Sequence, residues 1–138
     1  MESLSVILPT YNESANIISL VQAIQKKLKK TRYSYEIIIV DDNSPDGTAN
    51  LVELWAKKEK LQKYVRVIVR KTNRGLGFSI RDGIHAAKDG VIVGMDADFN
   101  HDPATLLRLV GALDHAELVV ASRFLPGGGM ADWSRYLP

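Results

Sequence analysis

Two aspartates one residue apart, Asp96 and Asp98, directly follow an apolar run from Val91 to Met95. Such a run is typical of a core strand, and burying a carboxylate at its end is costly without a counter-charge. A divalent cation supplies that charge, and hard cations such as Mg²⁺ take oxygen ligands and often bind phosphates as well. The D-x-D spacing therefore indicates a metal-assisted site for a nucleoside diphosphate substrate, although surface loops are also rich in aspartate.

Strand-like and helix-like patterns alternate along the chain and place those aspartates after a fourth strand. Strands are predicted at 4–8, 36–40, 65–69, 91–95 and 117–121, with Pro9 ending the first. Apolar residues at helical spacing predict a helix after each of the first four strands, and Asp102 with Pro103 is expected to start the last of them. Repeated βα units predict an α/β fold, with a mostly parallel, Rossmann-like sheet covered by helices on both faces.

Polar and glycine-rich segments follow the predicted strands, where open α/β sheets bind their ligands. They span residues 9–13, 41–48, 70–77, 96–103 and 122–129. We expect Asp41 to hold backbone N–H groups and Asp42 to be the better ligand contact, while Asn12 and Asp46 are equally open to a role as turn and cap residues. The glycines at 75 and 77 lack the third glycine of a dinucleotide fingerprint and do not follow the first strand, which disfavours a Rossmann cofactor site.

Two further features leave alternatives open. His101 could be a ligand or base, and a hydrogen-bonded structural histidine is at least as well supported. The basic run from Lys26 to Arg32 is typical of a solvated helix end, and contact with anionic lipid is the minority interpretation.

Composition limits the class of protein. The 138 residues suffice for one domain with a sizeable core, and a net charge of +2 gives no footprint for nucleic acid. Cysteine is absent, which excludes disulfides and thiolate metal sites. No apolar run approaches the ~20 residues needed to span a bilayer, so membrane contact by these residues would be peripheral. Because the sequence stops just after a glycine-rich loop, we expect residues 1–138 to be a single catalytic domain that is incomplete at its C-terminus.

The motifs occur in the order seen in family 2 inverting glycosyltransferases. They are PTYNE at 9–13, VDDNSPDGT at 40–48, GLG at 75–77, DAD at 96–98, and the closing SRF at 122–124 with GGG at 127–129. The chain resembles in particular the branch that makes dolichyl-phosphate mannose, and the resemblance covers nearly all of it. It implies a GT-A fold, a nucleotide-sugar donor and a divalent metal, Mg²⁺ or Mn²⁺.

The resemblance also implies roles for individual residues on the nucleoside side of the site. Pro9, Tyr11 and Glu13 would line the nucleoside pocket, with Val40 and Asp42 contacting the base or the ribose. An aromatic face and a carboxylate acceptor are suited to such contacts.

On the phosphate side, the resemblance implies that the Asp96-Ala97-Asp98 motif holds the donor diphosphate through the metal. Asp96 and Asp98 would be metal ligands, and Asn100 a third. Arg123 would bind phosphate on the donor or acceptor side, because its rigid fork pairs with phosphate in bidentate fashion. Asp98 and Arg123 are therefore the expected catalytic residues.

The implied activity is transfer of mannose from GDP-mannose to dolichyl or another polyprenyl phosphate, with inversion, at the cytoplasmic face of a membrane. A phosphate acceptor is already an anion near neutral pH, whereas a hydroxyl acceptor would require a carboxylate base. A UDP-glucose donor or a hydroxyl acceptor stays open within the same fold. Two other classes also stay open: a non-catalytic nucleotide-binding module and a response-regulator-like signalling domain.

Overall fold

The computed structural model describes residues 2–122 together with Phe124 and Pro126. Its strands are β1 (Ser3–Thr10), β2 (Ser34–Asp41), β3 (Val65–Val69) and β4 (Val91–Gly94). Its helices are α1 (Ile17–Leu28), α2 (Thr48–Lys58), α3 (Leu76–Ala86) and α4 (Thr105–Ala112). The predicted succession of four βα units is confirmed. Arg123, expected to bind phosphate on the donor or acceptor side, and the glycines at 127–129 lie outside the described residues.

The four strands form one parallel sheet in the order β3-β2-β1-β4. Helices α1, α2 and α4 pack on one face through a cluster that includes Leu4, Val6 and Leu8 of β1. Helix α3 covers the other face over Ile7 and its neighbours in β2. The predicted α/β sheet with helices on both faces is confirmed, and burial on both sides explains why the central strands read as continuous apolar runs.

The prediction that Pro9 ends the first strand is wrong, because β1 continues to Thr10. Thr10 O accepts from the N–H of Asp42 in the loop after β2, so the backbone nitrogen of Pro9, one residue earlier, points toward β4. The ladder between β1 and β4 has already ended at Ile7 and Gly94. The missing N–H of proline therefore removes no ladder hydrogen bond.

The predicted fifth strand at 117–121 is also wrong: this segment joins no ladder with the strands that the structure describes. Leu118 and Val120 are 80% and 76% exposed. Apolar and β-branched residues favour a strand only where a neighbouring strand and a packed face receive them, and β-propensity depends strongly on that context.

Helix α4 begins at Thr105, two residues after Pro103, the first helical residue that was predicted. The Asp102 carboxylate accepts from the Ala104 N–H at 2.8 Å, so it stabilises the turn that leads into the helix. Leu106 and Val110 are buried as expected. Among the residues described, none of the helices is long and apolar enough to cross a bilayer.

Helix α3 approaches the sheet closely at Gly83. A Cβ at this position would lie 2.5 Å from Cγ2 of Ile7 and 3.2 Å from Cγ2 of Val40. Both neighbours are fully buried branched side chains. The glycine therefore sets the distance at which α3 packs on β1 and β2.

We expect Gly83→Ala to lower the free energy of unfolding by about 1–3 kcal/mol, because overpacking at a close contact outweighs the gain in helix propensity. Gly77→Ala in the same helix is the matched control, since nothing lies within 4 Å of its Cβ position. The control should be neutral or raise the free energy by up to about 1 kcal/mol. Urea unfolding followed by circular dichroism measures both, and a stabilising Gly83→Ala would contradict the close packing.

Candidate functional site

The two aspartates of the D-x-D motif leave β4 on the same side of the chain. Met95 and Ala97 are buried, while Asp96 and Asp98 are exposed. The premise that a carboxylate is buried at this strand end is therefore wrong. The side chains alternate instead: Met95 and Ala97 pack into the core, and the carboxylates of Asp96 and Asp98 lie at the rim formed by the carboxyl ends of the strands.

Short hydrogen bonds within the loop after β4 orient these carboxylates. The backbone N–H and the side-chain Nδ2 of Asn100 each donate to Asp98, both at 3.0 Å. These bonds use the donors of Asn100, so Oδ1 is the side-chain atom that could act as a ligand. Phe99 between them adopts a φ of 63°, a left-handed conformation that is rare for a bulky residue and is found at functional loops.

His101 holds the backbone of the same loop. Its Nδ1 accepts from the Asp96 N–H at 2.9 Å, and its Nε2 lies 3.5 Å from the Asp96 carboxylate. This geometry supports the structural interpretation of His101, because both ring nitrogens already face Asp96.

Glu13, in the loop after β1, is influenced by the charge of the D-x-D carboxylates. Burial raises the pKa of Glu13, and the negative charges of Asp98, Asp46 and Asp96 raise it further. The loops after β1, β2 and β4 therefore bring several carboxylates together at one rim, where a cation would relieve their repulsion.

The first two loops are held together by side-chain to backbone hydrogen bonds. Three consecutive N–H groups of the loop after β1 each donate to a side-chain oxygen at or before the start of α2. The pairs are Asn12 with Ser44 Oγ at 2.9 Å, Glu13 with Thr48 Oγ1 at 3.1 Å, and Ser14 with Asp46 Oδ2 at 3.0 Å. The structure thus supports the turn-and-cap interpretation of Asp46.

Asp41 is structural, as predicted. Its carboxylate accepts from the Ser44 N–H at 2.8 Å, from the Ser44 hydroxyl at 2.6 Å and from the Thr10 hydroxyl at 2.6 Å. These bonds fix the start of the loop after β2 against the end of β1.

Asp42 sits in a buried network that sequence analysis missed. Its carboxylate accepts from Arg70 at 2.9 Å, from the Gly75 N–H at 2.7 Å and from the Ser79 hydroxyl at 3.0 Å. Burial raises the pKa of Asp42, but these three donors and the charge of Arg70 outweigh it and hold the pKa below its usual value. A carboxylate offers about four lone-pair positions, so one remains for the predicted contact with a base or ribose, which stays a prediction.

Arg70 is the centre of that network. Besides Asp42, its guanidinium donates to Asp82 at 2.6 Å and to the Asn73 carbonyl at 2.8 Å. Its side chain is only 4% exposed. The sequence signal was present, since an arginine directly follows a β-branched strand and Asp82 occurs in the next helix, but nothing in the sequence shows that the two meet.

The residues predicted to line the nucleoside pocket differ in what they offer a ligand. Tyr11 is 51% exposed, and the Arg74 guanidinium lies 5.1 Å from the centre of its ring. Pro9 is half-buried and pairs in register with Val40, whose side chain is fully buried beneath α3. Only the backbone of Val40 is therefore free to reach a ligand. The predicted roles of these residues stay predictions.

The described part of the chain contains no group of three or more His, Cys, Asp or Glu side chains arranged to hold a metal ion. The predicted ligands Asp96, Asp98 and Asn100 nevertheless share one short loop, and each has an exposed side chain. Their role as metal ligands stays a prediction.

Solved structures with this architecture bind nucleotide sugars. A mannosyltransferase from Pyrobaculum calidifontis in complex with GDP-Man and Mn²⁺ superposes with a TM-score of 0.63 at 27% identity, over 78% of this chain and 31% of that one. Glucosyl-3-phosphoglycerate synthase from Mycobacterium tuberculosis, in complex with Mn²⁺ and UDP, gives a TM-score of 0.63 at 27% identity over 84% and 41%. The fold is thus that of the GT-A glycosyltransferases.

Residues 5–138 match the family described as Glycosyl transferase family 2, and the chain belongs to that family. It is 38% identical to a dolichol-phosphate mannosyltransferase of Pyrococcus furiosus over 96% of this chain and 36% of that protein. It is also 38% identical to the dolichol-phosphate mannosyltransferase of Saccharomyces cerevisiae, over 96% and 49%. The chain thus spans about a third to a half of the length of these relatives. The predicted resemblance is confirmed, and the response-regulator alternative is wrong.

We expect Arg70→Met to lower the free energy of unfolding by about 3 kcal/mol or more, because it leaves the buried Asp42 carboxylate without its counter-charge. Arg81→Met is the matched control, since the Arg81 side chain is 52% exposed and surface ion pairs contribute little. The control should change the free energy by about 0.5 kcal/mol or less. Denaturant unfolding at neutral pH tests the difference, and equal effects would contradict the role of Arg70.

The same network predicts a pH dependence. The depressed pKa of Asp42 contributes stability that is present above its ordinary value of 3.8 and is lost as the pH falls through the lower, folded-state value. As the pH falls below about 4, the free energy of unfolding should therefore fall more steeply in the wild type than in Arg70→Met. Parallel slopes in the two proteins would show that Arg70 does not hold the Asp42 charge.

Proposed function

We propose that the protein is a metal-dependent inverting glycosyltransferase that moves mannose from GDP-mannose to dolichyl or another polyprenyl phosphate. The observation that carries the proposal is the rim itself: Asp96 and Asp98 are both exposed on the same side of the chain as it leaves β4, and the pKa of Glu13 is raised by the negative charge of both. Relatives named as dolichol-phosphate mannosyltransferases and a polyprenol monophosphomannose synthase support the donor and the acceptor.

The residues at the rim fit a divalent cation. The carboxylates of Asp96 and Asp98 and the Oδ1 of Asn100 are the hard oxygen donors that Mg²⁺ and Mn²⁺ take. Glu13, whose pKa is raised by its acidic neighbours, adds to the negative potential there. A bound dication would act as a Lewis acid and stabilise the charge that develops on the leaving diphosphate. Solved relatives that contain Mn²⁺ support this assignment.

On the nucleoside side, Tyr11 offers an exposed ring face, and Asp42 keeps one acceptor position for an N–H of the base or a ribose hydroxyl. Because Asp42 is held by Arg70, Gly75 and Ser79, that acceptor has a fixed direction. UDP-glucose is a second candidate donor, because a structural relative contains UDP in the same fold.

A phosphate acceptor suits the groups at this rim. The nucleophile would be a phosphate oxygen that is already an anion, so the reaction needs positive groups rather than a general base. Arg123 is our proposed phosphate-binding residue and, with Asp98, our proposed catalytic residue. We further propose that residues 1–138 form one GT-A catalytic domain that works at the cytoplasmic face of a membrane, where its lipid-linked acceptor is found.

Asp98→Asn is the direct test of this function. We expect it to weaken Mn²⁺-dependent binding of GDP-mannose by about tenfold or more, because it removes one of the two carboxylates proposed to hold the metal. Asp102→Asn is the matched control: it removes one charge from the same loop and keeps the oxygen that accepts from Ala104. Calorimetric titrations with and without Mn²⁺ measure both variants.

Equal affinities of Asp98→Asn and the wild type would overturn the proposal. A parallel titration with UDP-glucose identifies the donor. Metal-dependent binding of GDP-mannose alone supports a mannosyltransferase, whereas a preference for UDP-glucose supports a glucosyltransferase. Donor binding without sugar transfer to a polyprenyl phosphate would support the non-catalytic nucleotide-binding alternative.

A further inference from the structure

One side of the molecule combines exposed apolar and exposed basic side chains. It is formed by the outer surface of α3 and by the residues on either side of it, and we call it the α3 face. Its large apolar members are 60%, 44% and 44% exposed, and its exposed charged members from position 71 to position 88 are basic. They are Leu76, Phe78 and Ile84 with Lys71, Arg74, Arg81 and Lys88.

Two acidic residues lie in or beside this face: Asp82 within α3, and the exposed Asp89 next to Lys88, which removes one unit of positive charge there. Asp82 does not offset the charge at the surface. It is half-buried, and its carboxylate accepts from Arg70 on one oxygen and from Arg81 on the other. The guanidinium carbon of the exposed Arg81 lies 5.1 Å from the centre of the Phe78 ring. An exposed positive charge therefore lies beside the exposed apolar ring.

An open groove of about 470 Å³ lies at the start of this face. It is lined by Arg74, Gly75, Gly77, Phe78 and Arg81. The two glycines carry no side chain, so the ring of Phe78 and the backbone of the first turn of α3 are accessible from outside. The groove has an apolar floor and a basic border.

We propose that the α3 face docks the protein on an anionic lipid surface, an inference that rests on the proposed lipid-linked acceptor. Large apolar side chains beside lysine and arginine are the composition of helices that lie in a membrane interface. The negative potential of an anionic leaflet attracts the basic groups, while the acyl boundary takes the apolar ones. A purely acidic protein partner would satisfy the charges but leave Leu76, Phe78 and Ile84 in water.

The direction of α3 brings the candidate site to the bilayer. The helix begins at the rim, where Gly75 and Ser79 donate to Asp42. It ends near the amino ends of the strands, where the Lys88 N–H donates to Glu36. Arg74, at the rim end, stacks on Tyr11. Docking along α3 therefore sets the nucleoside side of the rim beside the headgroups, where the phosphate of a lipid-linked acceptor would lie.

The basic segment at the end of α1 is directed away from the rim. Helix α1 starts after the carboxyl end of β1 and runs back to the amino end of β2, so Lys26–Arg32 lies at the opposite end of the sheet from Asp96 and Asp98. Its exposed members include Lys29 and Lys30, but no large apolar side chain from 26 to 32 is exposed. This segment is the natural control for charge alone.

The test is cosedimentation of the 138-residue chain with vesicles of equal parts phosphatidylglycerol and phosphatidylcholine at low ionic strength. Arg81→Gln/Lys88→Gln should weaken vesicle binding by about 30-fold, the effect expected for two basic residues at an anionic surface. Lys29→Gln/Lys30→Gln removes the same charge from the other end and should leave binding within about twofold. Vesicles of phosphatidylcholine alone should retain little protein, and added salt should release it.

A second pair of variants tests the apolar part. Leu76→Ser should weaken vesicle binding, whereas Leu54→Ser on α2, which is 61% exposed against 60% for Leu76, should not. Equal loss in the two charge variants, or no loss in Arg81→Gln/Lys88→Gln, would overturn the proposal. Titration of each variant with GDP-mannose and Mn²⁺ separates the docking proposal from the proposed function. If the variants bind the donor and substitutions on the α3 face leave vesicle binding unchanged, only the docking proposal is overturned. If neither the wild type nor any variant binds the donor, the proposed function is overturned.

Discussion

Hydrogen bonds between two loops set the geometry of the rim. Backbone N–H groups in a connecting loop have no regular partner, and a buried or half-buried donor without an acceptor is destabilising. Here three successive donors after β1 find acceptors near the start of α2. The loop that carries Tyr11 and Glu13 is therefore fixed relative to the loop that begins at Asp41. Because Asp41 itself ties Thr10 to Ser44, neither loop can shift without breaking bonds in the other.

The sequence carried enough information for the fold and for the place of the site. Hydrophobic periodicity predicted the four βα units, and the parallel sheet then required the polar loops to meet at one edge. The predicted strand at 117–121 failed because its pattern is local, whereas a strand needs a partner that no local pattern can report. The predicted end of β1 at Pro9 was wrong for a similar reason. Whether a proline ends a strand depends on which neighbouring strand its nitrogen faces and on where the ladder with that strand ends.

The division of labour among the acidic residues was harder to predict. Asp41 and Asp42 are adjacent in sequence, and their roles follow from whether Ser44 or Arg70 is in reach. Arg70 looked like one of several basic residues after β3, yet it is buried and paired twice. Residue type and spacing predict that charges converge at the rim. Which donor meets which acceptor is a property of the packed loops.

Two buried networks fix α3 at both of its ends. At the rim, Arg70 joins Asp42 to Asp82. At the opposite edge, the buried Glu36 carboxylate accepts from Arg66 and from the backbone N–H of Lys88. Buried ion pairs are costly to desolvate and are weak evidence for stability, but a fully hydrogen-bonded pair tolerates few alternative positions. Together with the close contact at Gly83, they define how α3 lies on the sheet, and so the direction of the groove and of its exposed face.

The sign of the pKa shift separates structural carboxylates from those that lack a positive partner. Hydrogen bonds, those from Thr48 first, lower the pKa of Asp46 to about 2, and the donors around Asp42 lower its pKa as well. The protein itself therefore stabilises these two anions. Glu13 behaves in the opposite way, because burial and its acidic neighbours Asp98, Asp46 and Asp96 raise its pKa. The surrounding protein groups do not compensate the negative charge around Glu13. A cation bound beside Asp96 and Asp98 would therefore stabilise the carboxylates of Glu13, Asp96 and Asp98 together.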